Sequence, residues 1–282
     1  MQIKTIHTQK ALSPTQISLA DYVINPYRGC EFGCVYCYSR SNKNTQESFS
    51  ETVGVKVNIA QVLERELHYT RPSRVLLGST TECFQYQENN FKLSQQVLTT
   101  LGHYNVPYTI LTKSHLIRPH LPLIAGSGQN KVYFTFNCAK DNVIRMLERS
   151  SPDIASRIET LRDILTRGIQ LRVHIGPYIP YVSDIDEIVK LLPSGVKEID
   201  VEVYHHSMGN FEAFLACICR LDCARAEAVR EVYQSERNYL AFTGALKNKL
   251  LQIKKNHEFT IFYIVPEYNS FYSPDIDYTH CL

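Results

Sequence analysis

Asn25-Pro26-Tyr27-Arg28-Gly29-Cys30-Glu31-Phe32-Gly33-Cys34-Val35-Tyr36-Cys37-Tyr38 is the stretch on which the reading of this chain turns. Its cysteines follow a C-x3-C-x2-C spacing, with a glycine just before each of the first two. Thiolates at such short intervals let one loop wrap one iron–sulfur cluster, and glycines let the backbone turn tightly beside it. Three thiolates on a four-iron cubane leave one iron without a protein ligand. An open coordination position is the general mark of a catalytic metal site. The plainer readings are a zinc loop completed by a distant histidine, or buried thiols. Zinc modules bring two paired ligand sets, and no second pair of matching spacing accompanies this loop.

Working outward, apolar runs alternate with helical patterns from about residue 55. The expected strands are Arg74–Ser79, Pro107–Lys113, Val132–Asn137, Gln170–Gly176 and Glu198–Tyr204, with one more before Cys30. Between them the expected helices are Ile59–Tyr69, Leu93–His103, Asp141–Glu148, Ile154–Arg167 and Ile185–Leu192. The fourth is the best marked: Ser151-Pro152-Asp153 opens it, Ile154, Ile158, Leu161 and Leu165 stripe it, and Gly168 closes it. This alternation implies parallel strands with right-handed crossovers. The fold expected is therefore α/β, a partial TIM barrel of about (β/α)6 spanning residues 1–206, with the cluster loop at 30–37. Residues 207–282 read as a helical C-terminal extension: a helix over Phe211–Glu236, another over Leu240–Lys255, a strand over Phe259–Val265, then a Tyr-, Asn- and Pro-rich tail.

Composition narrows the function classes. Lys plus Arg number 30 against 28 for Asp plus Glu, which gives no global pull toward nucleic acid. No apolar run is long enough to span a bilayer and no signal-peptide core opens the chain, so a cytoplasmic protein without membrane contact is expected. Nine cysteines in a reducing compartment point to metal binding or catalysis rather than a disulfide framework.

The cysteine motif resembles that of radical S-adenosylmethionine (SAM) enzymes, and its surroundings resemble the spore photoproduct lyase-like branch. Asn25-Pro26-Tyr27-Arg28-Gly29-Cys30 is similar to the phrase that introduces the cluster loop there. Gly78-Ser79-Thr80-Thr81-Glu82, Leu111-Thr112-Lys113-Ser114 and His174-Ile175-Gly176-Pro177-Tyr178-Ile179-Pro180 resemble three strand ends of that branch. The resemblance spans about residues 20–205. It implies a [4Fe–4S] cluster on Cys30, Cys34 and Cys37, reductive cleavage of SAM to a 5′-deoxyadenosyl radical, an external electron donor, and hydrogen abstraction from a substrate.

The resemblance also implies site residues. Thr81 would contact the SAM amino-acid group, Lys113 the SAM carboxylate, and Thr135 the same ligand. Gly176 would let adenine approach the backbone, and Tyr36 fills the aromatic position before the third cysteine. Each has a plainer reading: strand-end charge for Lys113, strand propensity for Thr135, turn punctuation for Gly176, packing for Tyr36. Cys83 and Tyr38 are the candidates for hydrogen-atom or radical transfer, with Cys138 an alternative donor. The lyases place their cysteine about four residues before Cys83, where this chain has Ser79. Cys217, Cys219 and Cys223 are expected to be buried thiols of a helix rather than a second cluster.

Some enzymes resembling this branch are spliceases, which excise a tyramine unit from a ribosomal precursor peptide with the help of a small leader-binding protein. Near-neutral charge and the serine at 79 favour such a precursor peptide as substrate. Thymine-dimer repair or another nucleic-acid reaction is the alternative and would need a basic groove. A non-enzymatic iron–sulfur redox or interaction module is the third reading, against which the ordered SAM-pocket motifs weigh.

Overall fold

The computed structural model describes residues 1–41, 49–208, 210–270 and 281–282. Its strands are β1 (Gln2–Ile6), β2 (Ser13–Pro14), β3 (Tyr22–Ile24), β4 (Tyr27–Arg28), β5 (Thr52–Lys56), β6 (Val75–Leu77), β7 (Tyr108–Thr112), β8 (Lys131–Thr135), β9 (Gln170–Tyr178), β10 (Glu198–Val203) and β11 (Thr260–Ile264). The helices are α1 (Ile59–Leu67), α2 (Glu88–Phe91), α3 (Leu93–His103), α4 (Leu121–Ile124), α5 (Asp141–Leu147), α6 (Ile154–Thr166), α7 (Ile185–Leu191), α8 (Phe211–Cys219), α9 (Cys223–Tyr233) and α10 (Glu236–Asn256).

From β3 onward the main sheet is parallel and keeps chain order: β3, β6, β7, β8, β9, β10, β11. Only β2 is antiparallel, capping the β3 edge. The six expected strands are all present, and this is the partial α/β barrel that the pattern predicts. The strand positions that face the helices are apolar and fully buried, as in Val75, Ile110, Val132, Val173 and Ile199. Burial on both faces is what a parallel sheet covered by helices requires. The helix ends are set by side chains: Asp153 caps α6 by accepting from the Ser156 amide, and Gly168 leaves it at φ +65°.

Two features depart from expectation. The helix predicted over 211–236 is broken, because Asp222 adopts an extended backbone and caps α9 by accepting from the Arg225 amide. Across that break Cys219 and Cys223 are joined as a disulfide instead of lying as buried thiols, while Cys217 is buried as expected. The extension also returns to the barrel, since β11 pairs in register with β10 and adds a seventh parallel strand. Most of the Tyr-, Asn- and Pro-rich tail lies outside the described residues.

A second, three-stranded sheet of β1, β5 and β4 had no clear pattern in the sequence. It matters because β4 runs directly into Gly29 and Cys30. Gly29 sits at φ +82°, and a Cβ there would stand 2.2 Å from the Thr52 carbonyl oxygen. Only glycine lets the loop pass β5 so closely.

Candidate active site

Five parallel strands deliver their C-terminal ends to one cavity of about 270 Å³. From β6 come Gly78 to Glu82, from β7 Lys113, from β8 Thr135, from β9 His174 and Gly176, and from β10 Glu202 to Tyr204. This is the end at which parallel barrels carry their chemistry. The cluster loop closes over it, so that Cys30, Cys34 and Cys37 face the same space.

Backbone contacts fix the loop. The Cys30 amide donates to Phe49 O at 2.8 Å and the Val35 amide to Leu147 O at 2.8 Å. The Thr81 hydroxyl donates to Gly29 O at 2.5 Å, binding the β6 end to the cysteine loop. Burial pushes all three thiols up, Cys34 to about 12 even with the Lys113 ammonium beside it. Buried thiols of this kind ionise when a cation takes the place of the proton, which is released to solvent, and the irons of a cluster would supply that charge. No three Cys, His, Asp or Glu side chains among the described residues converge on one ion position. A cubane spreads its thiolates over separate irons and needs them only to face one space, which these do.

Tyr36 and Lys113 belong to a buried polar network. The Lys113 ammonium donates to Tyr36 Oη at 2.5 Å and to Glu148 Oε1 at 2.9 Å, and it lies 3.6 Å from Cys34 Sγ. Glu148 also accepts from the Tyr36 hydroxyl and pairs with the fully buried Arg157 guanidinium. Burial would raise the Glu148 carboxyl, but Arg157 first and Lys113 second outweigh it and hold it far below the carboxylate range. The three N–H donors of Lys113 are thus all engaged, so a SAM carboxylate would have to displace one of its partners.

Thr135 and Tyr38 both line the cavity, and the Tyr38 hydroxyl donates to the Ser79 carbonyl. Gly176 lines it too, and the His174 ring fills the room that a side chain at 176 would take. Cys83 stands apart from these. It is fully buried and absent from the cavity wall, because the turn after Gly78 is drawn inward by the Glu82 carboxylate, which accepts from Phe84 N, Thr112 Oγ1 and Lys113 N. Its sulfur packs behind Gly78 instead. Cys138 is likewise buried off the wall. Neither thiol lines the cavity.

Arg157, His174, Asp200, Glu202 and Asn210 line or brace the site and carry no role in the sequence reading. Arg157 lies on the apolar stripe of α6, and a charge on a buried face is the signal that it needs a partner, here Glu148. His174 and Asp200 form an ion pair across neighbouring strands, with Glu202 Oε2 3.7 Å from the other imidazole nitrogen. Burial works against the imidazolium, but the Asp200 and Glu202 carboxylates prevail and raise the histidine. Glu198, Asp200 and Glu202 recur with period two on one strand face, a legible sign of acids at the sheet. Asn210, at the start of the extension, donates from Nδ2 to Val35 O at 3.0 Å and Cys37 O at 3.3 Å, and it accepts from the Tyr204 hydroxyl at 2.9 Å. No sequence pattern marks it.

An incomplete parallel barrel with three thiols over its C-terminal mouth defines a cluster-bearing α/β enzyme class. The profile of the radical SAM superfamily matches residues 24–192, and the chain belongs to that superfamily. Its cofactors are accordingly a [4Fe–4S] cluster and S-adenosylmethionine. The chain is 28% identical over 230 residues to the uncharacterized protein Rv2578c of Mycobacterium tuberculosis, covering 76% of this chain and 67% of that one. It is 29% identical over 191 residues to the uncharacterized protein MJ0683 of Methanocaldococcus jannaschii, covering 67% and 72%. Among solved structures, spore photoproduct lyase complexed with dinucleoside spore photoproduct shares the fold, with a TM-score of 0.56 at 16% identity. That match covers 71% of this chain and 60% of the lyase. Among the described residues no helix is long and apolar enough to cross a membrane.

Proposed function

We propose that this radical SAM enzyme modifies a ribosomal precursor peptide, in a splicease-like excision of a tyramine unit that leaves a β-amino acid in the backbone. When bound together, the cluster and SAM supply a 5′-deoxyadenosyl radical that takes hydrogen from the substrate. The chain's own residues hold and shield that chemistry. Cys30, Cys34 and Cys37 hold the cluster, Thr81 and Thr135 stand where SAM would be oriented, and Tyr38 lies at the cavity wall beside Ser79. A small leader-binding protein would present the peptide by raising its local concentration at the barrel mouth. An external donor would supply the electron.

The observation that supports this reading is the charge of the cavity wall. Lys113 is the one Lys or Arg among its described lining residues, and that ammonium is engaged by Glu148, Tyr36 and Cys34. Four tyrosines and Glu202 stand there as well. Such a wall suits an amino-acid side chain better than a sugar–phosphate backbone, which is held by free cations. Co-expression with a candidate precursor peptide and a small leader-binding protein should lower the precursor mass by one tyramine unit. An unchanged precursor, together with repair of a thymine photoproduct by the purified enzyme, would transfer the assignment to nucleic acid.

A further inference from the structure

The Lys113 ammonium, 3.6 Å from Cys34 Sγ, has a place relative to the cluster that is independent of any substrate. It is nearly buried, with 13% of its side chain exposed, and Glu148 is 1% exposed. At that depth charges are poorly screened, so each acts on its neighbours more strongly than a surface charge would. The potential of an iron–sulfur cluster is set by the net charge around it and by hydrogen bonds to its sulfurs. Both are present here, on one ligand of the three.

We propose that Lys113 tunes the cluster through the Cys34 thiolate, and that Glu148 is the positioning residue that holds Lys113 there. The geometry supports the division of roles. Lys113 follows directly on β7 and lines the cavity, and its ammonium is gripped from one side by Glu148 Oε1 at 2.9 Å and from another by Tyr36 Oη at 2.5 Å. Asn137 Nδ2 donates to the same Tyr36 oxygen at 3.1 Å, which leaves that phenol little freedom to turn. Glu148 is in turn held by Arg157, whose Nε is anchored on Pro152 O at 3.0 Å. The chain Arg157–Glu148–Lys113–Cys34 thus runs from the start of α6 to a cluster sulfur.

Reduction adds negative charge to the cluster, and an adjacent cation favours the reduced form. Lys113 therefore makes the cluster easier to reduce. The Glu148 carboxylate opposes reduction through its own charge while keeping the ammonium in place. The two residues have opposite electrostatic signs, and a purely structural role would not reproduce that pattern.

The test is an anaerobic redox titration of the reconstituted full-length protein without SAM, followed by electron paramagnetic resonance, with iron content measured on each sample. Lys113→Met and Lys113→Gln should retain wild-type iron and lower the midpoint potential. The expected size is about a tenfold fall in the reduced-to-oxidised ratio at fixed potential, equal to about 59 mV for one electron. Glu148→Gln, which keeps the shape and an acceptor for the Lys113 ammonium, should move the midpoint the other way. Wild-type midpoints in both lysine variants would overturn the proposal and leave Lys113 to the SAM carboxylate.

Discussion

Replacing Asn210 with alanine removes three hydrogen bonds, two of which join the C-terminal extension to the loop 30–37. Two run from its amide nitrogen to the Val35 and Cys37 carbonyls, at 3.0 and 3.3 Å, and the third accepts the Tyr204 hydroxyl at 2.9 Å. Val35 and Cys37 are half-buried, so water reaches their carbonyls in part once the amide is gone. Counting the shorter bond at full strength and the longer at a fraction, the loop loses about 1–2 kcal/mol of attachment. That is a factor of about 5–30 in the population of an open loop. Iron released anaerobically to a ferrous chelator should accelerate by the same factor if cluster loss proceeds through loop opening. Tyr204→Phe deletes only the third bond and leaves the amide facing the loop, so it should accelerate release much less. Wild-type release from Asn210→Ala, accompanied by a lowered melting temperature, would refute the reasoning: Asn210 would then hold the extension without holding the cluster loop.

Cys83→Ala should leave SAM cleavage and product formation within about twofold of wild type, because the thiol is walled off behind Gly78, while costing about 1 kcal/mol of stability from the small void; loss of product with stability retained would return Cys83 to the chemistry. The His174–Asp200 pair makes stability depend on pH, because the histidine is raised in the folded protein. Its contribution is complete below the unfolded value of about 6.5 and disappears as pH climbs through the higher folded value. The melting-temperature gap between wild type and Asp200→Asn should therefore be widest near pH 6 and narrow toward pH 9; a gap that is constant or widens over that range excludes the imidazolium.

The barrel was legible because its signals are local and redundant. Each strand from β6 to β10 is an apolar run bounded by polar punctuation, and α6 carries a cap, a stripe and a closing glycine. That Cys30, Cys34 and Cys37 face one space was legible for the same reason, since they lie within one loop. Lys113, Thr81 and Thr135 could be placed at the cavity because strand ends of a parallel barrel converge. What the strand pattern does not carry is side-chain direction in the turns after the strands. Cys83 is only five residues past Gly78, yet the Glu82 carboxylate draws that turn into the core and the thiol faces away from the mouth. Glu148 lay at the end of an expected helix with nothing to show that Lys113, 35 positions earlier, was its partner. Asn210 meets Val35 across 175 residues, and contacts of that span leave no periodic trace.

β11 gives the order of synthesis a meaning for this fold. β10 is complete when residue 203 has been made, but its outer edge finds a partner only after Thr260–Ile264 emerges. Until then Ile199, Val201 and Val203 stand on a strand whose amides and carbonyls are open to any other extended chain. The helices α8 to α10 are thus more than a connection. They are built from local contacts and carry the last strand back to that edge. Shortened forms that end after β10 would keep every cluster cysteine and most of the cavity wall, and would still be expected to aggregate.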